Sequence, residues 1–399
     1  MNADPEQARR LFFEGVARFE SGRLDEARQA FEAALGHAPG RPSVLLNLGV
    51  TLLRLGRPRD ALAPLGQAAS ADAGQPDAWA HLGLAHESLG RWSEAAAAFE
   101  RAVALAPSLS NLWLALGRCR LREGAAGAAD AALRAFERAC EADPRSADAW
   151  SARGGLLREA GRPGDAAECF EKALALGADA ELHRYYLASV RGDAVPARPP
   201  RAYVETLFDE YADEFQAHLV DGLRYRAHET LAGPLLAPGR RYARVIDLGC
   251  GSGLCGRLLR PNADTIVGVD VSSAMIALAR ETGVYDELAH ADLAEFLARP
   301  APPADLVLAA DVFIYVGELG DAFAAVRRAL APGGVFAFSV ERAASGRDLE
   351  LLPSLRYAHS HAYLERLAGA HGFRVRETFE APLRDDQSRP VQGLYAYLE

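Results

Sequence analysis

The chain has 399 residues, half of them hydrophobic, with a formal net charge of −10. That length suits two domains rather than one and is enough for a sizeable core. The acidic balance argues against an electrostatic grip on nucleic acid or an anionic membrane. With no apolar h-region and no run of about 18 apolar residues, a reducing cytoplasm is expected.

Self-similarity dominates the first half. Gly15, Gly49, Gly83 and Gly117 recur every 34 residues, and Gly154 follows after 37. Aligned on these glycines, Leu11, Leu45, Trp79, Trp113 and Trp150 share one position. Ala27, Ala61, Ala95, Ala132 and Ala166 share a second, and Phe31, Leu65, Phe99, Phe136 and Phe170 a third, once three residues are allowed as an insertion in "LREGAAGAADAAL". Each unit reads as two amphipathic helices whose small residues permit close approach and whose Trp and Phe fill the gaps. The pattern resembles the tetratricopeptide repeat (TPR). The resemblance implies an all-α solenoid with a concave surface for a protein or peptide partner, since one unit cannot bury its apolar face alone. Five units are expected over residues 5–178, with "ELHRYYLASVRG" as a capping helix, so that the array spans 5–190. Cys119, Cys140 and Cys169 fall on these helices and read as small core residues. The five cysteines form no CxxC pair, and no His/Cys cluster has zinc-ligand spacing, so no metal site is expected.

Residues 191–202, "RGDAVPARPPRA", hold three prolines and no apolar period, and read as an extended linker. Beyond it, over 203–399, strands and helices alternate. "YVETLFDEYADEFQAHLV" reads as one or two helices and "RAHETLAGPLL" as another. The strands are "ARVIDLG", "TIVGVDV", "ELAHADL", one within "ADLVLAADVFIYV", "VFAFSVE", "RVRETFEAPL" and "PVQGLYAYLE". The last two are joined only by a polar loop and should pair antiparallel. The expectation is a seven-stranded Rossmann-like α/β sheet ending in a hairpin, with its ligand beyond the carboxyl ends of the strands.

The glycine turn in "VIDLGCGSGLCGRLLR" admits two readings. Gly251, Gly253 and Gly256 match the dinucleotide pattern GxGxxG, whereas Asp247, Gly249, Gly251 and Gly253 match DxGxGxG. Asp270, at the end of the second strand, suits a ribose in either case, so spacing alone does not decide. Four features favour the second reading. Asp247 would repel a pyrophosphate but suit an ammonium group. "HADL" ends the third strand in Asp292. "LAPGG" precedes the fifth strand, and the sheet closes with a hairpin. Gly256 then drops to a helix-packing residue.

These motifs, with "VGVDVS" and "LAADVFIYV", resemble the class I S-adenosylmethionine-dependent methyltransferases. The resemblance implies S-adenosylmethionine as cofactor, with Asp247, Gly249, Cys250, Gly251 and Gly253 around its methionine portion. Asp270 would take the ribose hydroxyls, Val271, Ser272 and Met275 would lie beside the adenine, and Asp292 and Leu293 would meet the adenine edge. Asp311 would border the methyl group. Acceptor-side candidates are Asp311, Tyr315 and His359 as catalytic residues, His359 being preferred as base because an ordinary histidine titrates near neutrality. Arg356, Tyr357 and His361 are candidate substrate contacts, and Tyr211 and Phe215 a candidate lid. Strand four runs into "ADVFIY" rather than Asn/Asp-Pro-Pro-Tyr, and no Pro-Cys pair follows, which argues against DNA bases as acceptors. The expected activity is methyl transfer to a small molecule or a protein. The alternatives are a TPR adaptor with a cofactor-binding but inactive domain and, more weakly, a nicotinamide-linked oxidoreductase.

Overall fold

A computed structural model describes residues 4–192, 195–216, 225–344, 346–386 and 389–399, the side chains of 210–216, 386 and 389 excepted. The chain divides into two compact units, Met1–Ala178 and Asp179–Glu399.

The first unit is five helix pairs: α1 (Pro5–Glu20) with α2 (Leu24–His37), α3 (Pro42–Arg54) with α4 (Pro58–Ala71), α5 (Pro76–Glu87) with α6 (Trp92–Leu105), α7 (Ser110–Glu123) with α8 (Ala128–Ala142), and α9 (Ala147–Glu159) with α10 (Pro163–Ala175). The repeated glycines exist because the partner helix delivers a ring or a leucine onto them. A Cβ on Gly15 would lie 2.6 Å from Phe31, on Gly49 2.4 Å from Leu65, on Gly83 2.9 Å from Phe99, on Gly117 2.3 Å from Phe136, and on Gly154 2.7 Å from Phe170. The aligned tryptophans also have a backbone task. Trp79, Trp113 and Trp150 donate their indole N–H to the carbonyls of Ala73, Pro107 and Pro144, closing the turn that leads into each helix. The inserted residues of the fourth unit form the turn between α7 and α8, where Gly124 and Gly127 take left-handed φ values of 65° and 77°.

The second unit opens with α11 (Ala180–Arg191). Expected as the cap of the repeats, this helix buries Tyr185, whose hydroxyl donates to the Leu355 carbonyl at 2.7 Å. The following stretch, expected as an extended linker, is bonded to the same unit. The Ala197 carbonyl accepts from both Gly317 N and Glu318 N at 3.0 Å, and Arg347 donates to the Gly192 carbonyl.

Strands β1 (Tyr242–Leu248), β2 (Ala263–Asp270), β3 (Glu287–His290), β4 (Ala304–Ala309) and β5 (Leu330–Arg342) run parallel in the order β3-β2-β1-β4-β5. Two short strands, β6 (Leu349–Leu351) and β7 (Tyr357–His359), follow, then the hairpin of β8 (Val375–Asp386) and β9 (Arg389–Leu398). The expected antiparallel closure is present, with β9 paired to both β5 and β8. The described sheet has nine strands rather than seven because β6 and β7 join it, β7 alongside Glu341 and Arg342 of β5. At three residues each, they are too short to carry a period. Helices α12 (Arg201–Gln216), α13 (Ala227–Ala232), α14 (Leu254–Leu259), α15 (Ser273–Glu281), α16 (Leu293–Leu297), α17 (Gly320–Ala329) and α18 (His361–Ala370) complete the unit. Apolar side chains cover both sheet faces, Ile246, Val267 and Phe336 on one, Val245, Ile266 and Leu306 on the other. The strand order reverses between β1 and β4, and the carboxyl ends of those strands form the crevice where such sheets take ligands.

Candidate active site

The turn after β1 exposes backbone because its glycines are left-handed: Gly249, Gly251 and Gly253 have φ of 62°, 51° and 90°. A Cβ on Gly249 would lie 2.4 Å from Val312, the residue after Asp311, so the β1 and β4 ends approach closely here. Asp270 joins the turn to β2. Its Oδ2 accepts from Gly251 N and its Oδ1 from Ser272 N, each at 2.9 Å. Burial pushes its carboxyl pKa up, while these backbone donors pull the other way.

Asp247 is the second acid of this end and is almost fully buried. Burial lifts its pKa to about 7, with nearby Asp270 adding to the rise, against the hydroxyl of Tyr285, which donates to Oδ2 at 2.7 Å. Sequence reasoning missed Tyr285. Its partner lies 38 positions away, and no local pattern announces that pairing. Gly256 packs under the Tyr285 ring. Burial raises the Cys250 thiol pKa, and the Cys250 N–H is spent on the Val269 carbonyl.

Ser272 caps α15 through Met275 N and donates its hydroxyl to Asp209 of α12 at 2.6 Å. Met275 is fully buried, and the Val271 carbonyl bonds the His290 ring. Asp292 caps α16, its Oδ1 accepting from Ala294 N and Glu295 N. Tyr211 and Phe215 fall where side chains lie outside the described residues. One turn earlier, Phe208 meets Tyr315 edge to face at 5.1 Å.

The acceptor end departs from expectation. Asp311 takes a left-handed φ of 58° and donates its N–H to Ser339 Oγ. Its carboxylate is held by both oxygens on Arg384 Nη1, at 3.2 and 3.1 Å, while Arg384 Nη2 donates to Glu341 at 2.9 Å. Arg384, from the closing hairpin, is buried and was not anticipated, because nothing in β8 marks it as facing β4. Arg356 faces the same group. Burial works against its charge, yet Tyr315, Asp311 and Glu341 hold its pKa above the ordinary value.

Two candidates, His359 and Tyr357, are corrected. His359, preferred as the base, lies in β7 and is fully buried. Its Nε2–H donates to the Gly317 carbonyl at 2.7 Å and its pKa falls to about 4 through burial, so it is no open base. Tyr357 is a core residue whose ring lies 6.1 Å from that of Tyr185. His361 begins α18, exposed, bonded to Thr378 and near Glu365. Asp311 stays at the site, but as an anchored anion.

The turn fits S-adenosylmethionine better than a dinucleotide. A buried acid beside the glycines repels pyrophosphate and suits an ammonium group, Asp270 can still accept from a diol, and the buried Ser252 Oγ has no hydrogen-bond partner among the described residues. Among those residues no cluster of His, Cys, Asp or Glu could hold a metal, and no helix is long and apolar enough to cross a membrane.

Comparison with known proteins agrees. Residues 213–378 match the family model described as a methyltransferase domain, and 18–85, 76–119 and 121–181 match tetratricopeptide repeat models. The malonyl-[acyl-carrier protein] O-methyltransferase of Enterobacter lignolyticus is 32% identical over 48% of this chain and 79% of its own length. A trans-aconitate 2-methyltransferase of Paracidovorax citrulli is 37% identical over 29% of this chain and 44% of its own. The solved N-methyltransferase NodS from Bradyrhizobium japonicum WM9, bound to S-adenosyl-L-homocysteine, is 23% identical, at TM-score 0.36 over 43% of this chain and 84% of that one. The chain belongs to the S-adenosylmethionine-dependent methyltransferases, with tetratricopeptide repeats in its N-terminal half.

Proposed function

We propose that the enzyme methylates a carboxylate oxygen of an organic acid, free or carried on a protein, and that the repeats bind the protein that carries or delivers it. The observation behind this reading is that the acidic groups at the acceptor end are already engaged and that the imidazole is buried with its Nε2–H donated. Asp311 and Glu341 are held by Arg384, and His359 is held by Gly317. Such a site suits an acceptor that arrives without a proton to lose, because a general base is needed only when one must be removed. A carboxylate is such an acceptor at neutral pH. The names of two relatives point the same way, a malonyl group and trans-aconitate both being carboxylic acids.

When bound, S-adenosylmethionine supplies an activated methyl group. In this reading Asp247 holds the methionine ammonium, the backbone of Gly249, Cys250, Gly251 and Gly253 lies against the methionine portion, and Asp270 takes the ribose hydroxyls. Val271, Ser272 and Met275 flank the adenine, with Leu293 N–H and the Asp292 carboxylate at its edge. Arg356 pairs with the acceptor carboxylate, while Tyr315 and Phe208 close the site from the α12 side. Alignment of this kind can supply about 7–11 kcal/mol of the barrier.

The test is incubation with S-adenosylmethionine labelled in the methyl group, in a cell lysate and then with purified organic acids. The expected product releases its label as methanol in mild alkali, as an ester does. An alkali-stable label would place the methyl on nitrogen, carbon, sulfur or an ether oxygen and reject the carboxylate reading.

A further inference from the structure

Three glycines of the cofactor end border one side chain, Tyr285, and Gly256 borders it most closely. A Cβ on Gly256 would lie 2.6 Å from the Tyr285 ring; one on Gly268 would meet that ring at 2.9 Å and Leu288 at 2.8 Å, and one on Gly253 would meet the ring and Thr282 at 3.2 Å each. Tyr285 enters from the segment between α15 and β3, and its ring fills the space that a glycine in α14, a glycine in β2 and the last glycine of the turn leave open. Its hydroxyl reaches Asp247 Oδ2 at 2.7 Å.

Burying a phenol is costly unless its hydroxyl finds a partner, and burying a carboxylate more so. Each group here answers the need of the other. The remaining neighbours that bear on the Asp247 carboxyl are Asp270 from β2, the Gly256 backbone N–H, and the thiols of Cys250 and Cys255. Asp270 repels it. A carboxylate torsion is soft, with broad wells, so its heading is set by whichever donor reaches it. Burial and the adjacent Asp247 both raise the Tyr285 pKa, so the phenol keeps its proton and remains a donor.

We propose that Tyr285 is a positioning residue for the cofactor's amino-acid end: its hydroxyl fixes the heading of Asp247, the carboxylate that meets the ammonium. This rests on the reading of Asp247 given above. It also gives Gly256 a reason, room for the ring, that is separate from contact with cofactor.

Tyr285→Phe keeps the ring and removes the donor. Calorimetry with S-adenosylhomocysteine, which has the ammonium and carboxylate, and with 5′-methylthioadenosine, which has neither, separates positioning from packing. The expected result is a loss of about tenfold or more in affinity for S-adenosylhomocysteine, as for a hydrogen bond to a charged group, with 5′-methylthioadenosine unchanged. Equal loss for both ligands, or no loss for either, overturns the proposal. Asp247→Asn is measured beside it. If that variant weakens S-adenosylhomocysteine and Tyr285→Phe does not, only the role of Tyr285 falls. If Asp247→Asn leaves S-adenosylhomocysteine untouched, the reading of Asp247 falls with it.

Discussion

Asp270 accepts the backbone N–H of Gly251 at 2.9 Å, so the acid that ends β2 also holds the glycine turn that follows β1. The same carboxylate accepts from Ser272 N, at the start of α15. One side chain therefore fixes both the loop after β1 and the start of the helix after β2. Asp270→Ala leaves two backbone donors without that acceptor, at about 1–3 kcal/mol each where water cannot replace it. The expected outcome is a lowered melting temperature together with a loss of S-adenosylhomocysteine affinity of about 100-fold or more. Thermal melts and calorimetry read the two effects. An Asp270→Ala protein with unchanged affinity would move the ribose site elsewhere.

The parts of this molecule that were legible in the sequence are those whose physics is local or periodic. A glycine and an aromatic 16 positions on, repeated, announce a helix pair with a ring set against bare backbone, and Gly83 with Phe99 meets that description. The turn at Gly249, Gly251 and Gly253 was legible because only glycine takes those φ values cheaply. Asp292, read as a ligand of the adenine edge, caps α16 in the structure. The ion cluster at the acceptor end was not legible. Arg384 lies 73 positions from Asp311 and 43 from Glu341, and only the folded hairpin brings them together. His359 misled because a histidine between Tyr357 and Ser360 looks like a polar loop, whereas pairing of Tyr357–His359 with β5 and β6 draws it into the interior.

His359 supports the fold through its neutral form. Its pKa of about 4 is below the ordinary value of 6.5, so folding favours the uncharged ring. A depressed pKa contributes stability that is present above the unfolded value and lost as pH falls through the folded one. Relative to His359→Gln, which keeps a donor for the Gly317 carbonyl but does not titrate, the wild-type protein should lose stability as pH drops from about 6.5 to 4. Melting temperatures across that window check the sign. Turnover of His359→Gln should stay within a few-fold of wild type at neutral pH. A fall of about 100-fold or more, the size expected when a general base is lost, with an unchanged melting temperature would reinstate the histidine as a base.

Arg384 compensates two carboxylates at once, and all three side chains are largely withdrawn from solvent. Removing one partner of such a cluster is costlier than never having built it, because the remaining charges stay buried. Arg384→Met should therefore cost about 3–5 kcal/mol of stability. The loss also has a pH signature. Burial raises the Glu341 pKa and the guanidinium counters it, so without Arg384 the variant is least impaired at low pH and worsens as pH rises. Melting temperatures between pH 5 and 8 check that slope. Arg384→Met combined with Asp311→Asn and Glu341→Gln removes the uncompensated charges and should recover much of the stability. If the cluster orients the acceptor end, this triple variant still binds S-adenosylhomocysteine but turns over at least 100-fold more slowly. Recovery of turnover along with stability would reduce the cluster to a fold element and leave Arg356 as the charged group that meets the acceptor.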